Sequence, residues 1–134
     1  MKNTVLLAFF FVLSIKAFSQ EWRYITSSKD NSSKYYMKPQ ISKNETTVKV
    51  WEKNISNKTN YFDGIGNTVT AYNTKAISLK EYNCSNNQNR FLTMNIYNEN
   101  GDVIKKVDYP SKWTIIFPDT IGEVLYNYVC AKNN

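Results

Sequence analysis

The chain has 134 residues, with 17 lysines and arginines against 11 aspartates and glutamates, a net charge of +6 and no histidine. The absence of histidine excludes serine or cysteine catalysis with an imidazole base, and with it the commonest zinc sites. The length suits one domain built on one core.

The chain opens with MKNTVLLAFFFVLSIKAFSQ. Lys2 precedes an apolar run from Val5 to Ile15, and Ala17 and Ser19 put small residues at −3 and −1 of a cut after Ser19. Residues 1–19 are therefore expected to be a cleaved secretory signal peptide, since the run is shorter than the ~20 residues that span a bilayer. No cysteine follows the cut to accept a lipid. The mature domain, residues 20–134, is expected in the periplasm, at the cell surface or secreted, not lipidated and without a transmembrane segment. It keeps 15 basic and 11 acidic side chains, a net charge of +4 with no lysine run longer than Lys105-Lys106. Eighteen asparagines make glycosylation matches such as Asn44-Glu45-Thr46 and Asn57-Lys58-Thr59 expected by chance, so they carry no weight.

The mature chain begins with strand patterns. EWRYITSS alternates Trp22, Tyr24 and Thr26 against Arg23 and Ile25, SKDNSS supplies a polar turn, and KYYMK completes a hairpin. TTVKVWEK sets Val48 and Val50 against Thr47, Lys49 and Trp51. Asn54 to Ala76 has no firm period, with at most a short strand around Val69 and Tyr72, and is expected to be a long functional or disordered loop. AISLKEYNC places Ile77, Leu79 and Glu81 on one face and Ser78, Lys80 and Tyr82 on the other, and polarity does not decide which is inward. NRFLTMNIYNENGDVIKKVDY reads as two strands joined at Asn100-Gly101, the strongest hairpin signal in the chain.

The closing segment, PDTIGEVLYNYVC, changes period. Ile121, Val124, Leu125, Tyr128 and Val129 form one helical stripe, and Thr120 with Glu123 fits a capping box, with Asp119 as the alternative cap. Two cysteines in an exported chain are most simply a disulfide, Cys84 with Cys130, which would pin the last turn of the helix to a strand end.

In this order, the Trp-led first strand, YYMKPQIS, VKVWEK, SLKEYNCSNNQNRFL and SKWTIIFPDTIGEVLYNYVC resemble the surface-adhesin protein E family from about Trp22 to Cys130. The resemblance implies an α+β fold, an antiparallel sheet of about six strands with one C-terminal helix stapled to it by the disulfide. It also implies a homodimer and, from the founding member, binding of host matrix and serum proteins such as laminin and vitronectin. That founding member is a lipoprotein, and this chain has no lipobox cysteine.

With both cysteines paired no thiolate nucleophile remains. Scattered carboxylates such as Asp63, Glu81 and Asp102 do not form a pair with predictable spacing. No enzyme activity, cofactor or metal is expected. FDGIGN, Phe62 to Asn67, lacks the lysine and hydroxyl residue of a phosphate loop and reads as a flexible turn. Lys105-Lys106 beside Tyr109, with Lys53 and Lys58, resembles a polyanion surface, but a lysine-blunted sheet edge is the plainer reading, so no specific nucleic-acid partner is expected. Trp22, Trp51 and Trp113 read as core and sheet-packing residues rather than a sugar platform.

Two functions follow. One is a secreted or cell-envelope binding module of adhesin type, whose contacts come from the 54–76 loop, with Tyr61, Phe62, Asp63 and Tyr72 as candidate binding residues, and from an exposed sheet face. The other is a periplasmic inhibitor or assembly factor acting on another envelope protein. A basic chain is a poor electrostatic match for a basic lysozyme. The partner is expected to be a host matrix protein or an envelope protein.

Overall fold

A computed structural model describes residues 21–38 and 42–131. The signal-peptide expectation lies outside the described residues. Eight strands and one helix follow in chain order: β1 (Arg23–Ser27), β2 (Ser33–Met37), β3 (Ser42–Lys43), β4 (Thr47–Phe62), β5 (Thr68–Asn83), β6 (Gln88–Tyr97), β7 (Val103–Val107), β8 (Thr114–Ile115) and α1 (Ile121–Ala131). All the pairings are antiparallel. The main path is β1-β2-β4-β5-β6-β7, with two-residue β3 added on β4 and β8 on β6. This is the expected six-stranded sheet with two short additions.

Alternation along the strands sends one set of side chains to a face covered by α1. Met37, Val48, Val50 and Tyr82 from the sheet meet Leu125, Val129 and Cys130 from the helix in the core. Ile25 joins them because β1 bulges against β2 between Tyr24 and Thr26, which lets the extra residue turn inward. On β5 the inward face is the one carrying Ser78, Lys80 and Tyr82, since Tyr82 pairs with Val48 and Lys80 with Val50.

The helix starts as its residues dictate. The Glu123 amide donates to Thr120 Oγ1 at 3.3 Å, and Glu123 Oε2 accepts the Asp119 amide at 2.9 Å. Thr120 is thus the cap, with the glutamate reaching one residue further back than in a standard capping box. The apolar stripe holds for Ile121, Leu125, Tyr128 and Val129, but Val124 is exposed. Tyr126 faces the sheet instead, its hydroxyl donating to the Cys84 carbonyl at 2.7 Å. Cys84 and Cys130 form the disulfide, closing a separation of 46 residues.

The long loop expected over residues 54–76 is not there. β4 continues to Phe62 and β5 begins at Thr68, so only five residues, Asp63 to Asn67, turn the chain. The Asn100-Gly101 hairpin is in place; Gly101 takes φ 88°, and Asn98 Oδ1 accepts the amides of Asn100 and Asp102 to shape the turn.

Candidate binding surfaces

Two surfaces stand out, and the first is the outer half of the β4–β5 hairpin. β2 supports β4 only from Glu52 to Ser56, and β6 supports β5 only from Lys75 to Asn83. Beyond them, the pairs Lys58↔Tyr72, Thr59↔Ala71, Asn60↔Thr70, Tyr61↔Val69 and Phe62↔Thr68 form a two-stranded arm with no neighbouring strand. At ~3.4 Å per residue the five pairs reach about 17 Å. On this arm Phe62, Ile65 and Tyr72 are 65%, 86% and 64% exposed.

The arm is rooted in buried hydroxyls. The register skips the Asn57/Asn73 position, where Asn73 adopts a left-handed φ of 50°, a conformation asparagine tolerates best after glycine. Across this break Thr59 and Thr74 share a hydrogen bond of 2.6 Å, and on its body side Ser33 of β2 and Ser56 of β4 share one of 2.7 Å. Thr74 and Ser56 are almost fully buried, so these bonds satisfy groups that water does not reach.

The structure divides the sequence-predicted binding residues. Phe62 and Tyr72 share a face of the arm, four rungs apart, whereas Tyr61 points to the other face with Val69. Asp63 organises the turn: Oδ1 accepts the Ile65 and Asn67 amides at 2.9 Å each and Oδ2 accepts the Asn67 side chain at 3.1 Å. Asp63 is therefore a scaffold for Ile65. Hydrogen bonds, the Asn67 amide first, hold its pKa below the ordinary carboxylate value. A depressed folded-state pKa stabilises the turn above the unfolded value near 4 and loses that contribution as pH falls below it. Amide exchange at Ile65 and Asn67, corrected for intrinsic rates, is expected to lose protection as the pH is lowered below about 4 while that of β5 core amides holds. Protection that does not fall on acidification counts against the scaffold role.

The second surface is the open face of the sheet, opposite α1. Lys38 and Lys53 lie 5.2 and 4.8 Å from the Trp22 ring centre, Lys53 also 4.6 Å from Tyr36, and Lys75 5.0 Å from Tyr97. Further along, Arg90 stacks 4.5 Å from Trp113 and pairs with Glu81 at 2.7 Å. Trp22, Trp51 and Trp113 are half-buried and none belongs to the core. The expectation that they pack on the sheet holds for Trp22 and Trp113 in this cationic form, and the core half of it does not. The Lys53, Lys58 and Lys105-Lys106 grouping is broken up, with Lys53 on a central strand, Lys58 on the arm and Lys105-Lys106 on edge strand β7.

Beneath α1 lies a polar group that the sequence did not announce. Glu52 Oε1 accepts from Lys80 Nζ at 3.1 Å, and Glu52 Oε2 accepts from the Tyr82 hydroxyl at 3.0 Å. Lys80 also lies 4.7 Å from the Phe91 ring centre. Burial first, and then the Glu52 charge, push the Tyr82 phenol well above its ordinary pKa, so it stays a donor. Asp63, Glu81 and Asp102 sit on the arm, under Arg90 and in the β6–β7 turn respectively, and do not converge. Among the described residues no group of three or more acids and cysteines could hold a metal ion.

The sheet, its single terminal helix and the Cys84–Cys130 staple coincide with the range over which a family model, Surface-adhesin protein E, matches residues 22–131. The chain belongs to the surface-adhesin protein E family. No curated protein and no solved structure matches it. Membership gives this adhesin E chain a surface-adhesin-like role, non-enzymatic in character, at the surface or secreted. Among its described residues no helix is long and apolar enough to cross a membrane.

Proposed function

We propose that this adhesin E chain is an exported protein-binding module and that the β4–β5 arm is its contact element for an extracellular protein. The observation that carries the reading is the exposure of Phe62, Ile65 and Tyr72 on a ribbon that no strand covers. Burying each such side chain against a partner contributes roughly 1.5–3 kcal/mol, a gain offset in part by the cost of association. The unpaired edges of the ribbon add main-chain donors and acceptors of the kind used in strand addition.

Mature protein immobilised on a sensor and exposed to host matrix proteins, and separately to envelope extract of the source cell, tests the reading. Phe62→Ser with Tyr72→Ser is expected to weaken capture of a matrix protein at least tenfold. Both side chains are exposed, so the melting temperature should move by less than about 2 °C. Undiminished capture by the double variant overturns the role of the arm. Capture of an envelope protein alone, with the chain protected from protease on whole cells, would instead favour the inhibitor or assembly-factor reading.

A further inference from the structure

The open face gathers lysines that are far apart in sequence. Lys34 and Lys38 come from β2 and the residue after it, Lys49 and Lys53 from β4, Lys75 from β5 and Lys106 from β7. The Tyr36↔Lys53, Lys34↔Ile55, Ile55↔Lys75 and Asn95↔Lys106 pairings place them on one side. At the centre Lys38, Lys53 and Lys75 come from three successive strands and lie on a diagonal, since Lys53 pairs with Ile77, Lys75 with Ile55, and Lys38 follows the Met37↔Glu52 pair; diagonal neighbours of this kind are ~7–8 Å apart. Of the acids on this face, Glu81 is held by Arg90 and Asp108 by Lys106. None of the ion pairs among the described residues involves Lys38, Lys53 or Lys75.

We infer that this face binds an anionic polysaccharide, its carboxylates or sulfates spanning Lys38, Lys53 and Lys75. The aromatic rings set the geometry, since Trp22, Tyr36 and Tyr97 present their π faces to the ammonium groups and hold them in place. Charges held this way are preorganised, and little side-chain entropy is lost when an anion arrives. Burial first, then repulsion from Lys75 and Lys38, hold the Lys53 pKa below the ordinary lysine value. A bound anion relieves that repulsion. Charge complementarity calls for a polyanion, and the covered rings separate a polysaccharide from single-stranded nucleic acid. Proteins that bind nucleic acid strands stack bases on free aromatic faces, whereas these faces are occupied by the protein's own cations.

The mature protein is loaded on immobilised heparin, a sulfated polysaccharide, and in parallel on immobilised single-stranded DNA, and eluted with a salt gradient. Retention on heparin beyond 0.15 M salt is expected, with Lys38→Gln, Lys53→Gln and Lys75→Gln together cutting affinity tenfold or more. Lys75→Gln alone, a change at an exposed side chain, should lower the eluting salt measurably and guards against a triple variant that fails to fold. Arg23→Gln, Lys29→Gln and Lys112→Gln, an equal loss of charge at exposed positions elsewhere, should elute near the parent. Equal losses from the two triples reduce the effect to net charge and overturn the proposal. Stronger retention on DNA, abolished by the same open-face triple, overturns the polysaccharide assignment.

Discussion

Glu52→Ala should be among the most destabilising single substitutions in this molecule, by about 3–5 kcal/mol, because it leaves Lys80 charged and unpartnered under the helix. It also strips the buried Tyr82 hydroxyl of its acceptor. For a chain of this size each kcal/mol lowers the melting temperature by roughly 4 °C, so a fall of about 10–20 °C is expected. The double variant Glu52→Leu with Lys80→Met removes both charges and should recover most of that loss, because replacing a buried ion pair with apolar groups of similar volume is often neutral. Urea unfolding of the three proteins checks this. A Glu52→Ala protein within about 1 kcal/mol of the parent would mean that the pair is hydrated in solution and that the core does not depend on it.

The second large effect is expected from the staple. Closing 46 residues between Cys84 and Cys130 restricts the unfolded chain by roughly 4 kcal/mol in the chain-entropy picture. Cys130→Ser should therefore lower the melting temperature by about 15 °C. The loss should be concentrated at one end of the molecule. Amides of Tyr128 and Val129 should exchange far faster, while those in the centre of β4 change in proportion to global stability. The Tyr126 hydroxyl bond to the Cys84 carbonyl remains in the variant and keeps the helix docked for part of the time. A second variant, Cys130→Ser with Tyr126→Phe, should lose the near-ultraviolet signature of helix docking altogether. If Cys130→Ser melts like the parent, the staple contributes nothing.

The helix was legible because its signals are local. A proline, a cap, a glutamate three residues on and an apolar stripe all lie within a dozen residues. The first half of β4 was legible for a similar reason, since Val48 and Val50 are buried while Lys49 and Trp51 face outward. The second half was not. Between Asn57 and Tyr72 the ribbon has no sheet against it, so asparagine and threonine occupy both faces and no period of two in hydrophobicity arises. Asn54 to Ala76 therefore carries no firm strand signal in sequence, although its aromatic residues Tyr61, Phe62 and Tyr72 lie on the arm and Asp63 in its turn. The Glu52–Lys80 pair was hidden because each residue in its own strand looks like a solvent-facing charge. Only the β4–β5 register, 28 residues of separation, places them together under a helix. The lysine cluster was hidden by the same distance, its members scattered from Lys38 to Lys75 until three strands line up.

The arm also has a mechanical consequence. A two-stranded ribbon fixed at its root by buried hydroxyls is a cantilever: it carries Phe62 about 20 Å beyond Ser56, the last residue of β4 that β2 supports, with Ile65 further out in the turn. A protein gripped at that tip would sit away from the body, apart from the lysines of the open face. With both proposed contacts in place, one molecule would hold two different ligands at once. A tissue surface that offers protein and acidic glycan side by side would be gripped with an avidity exceeding either contact, because the second attachment takes place at the high local concentration set by the first.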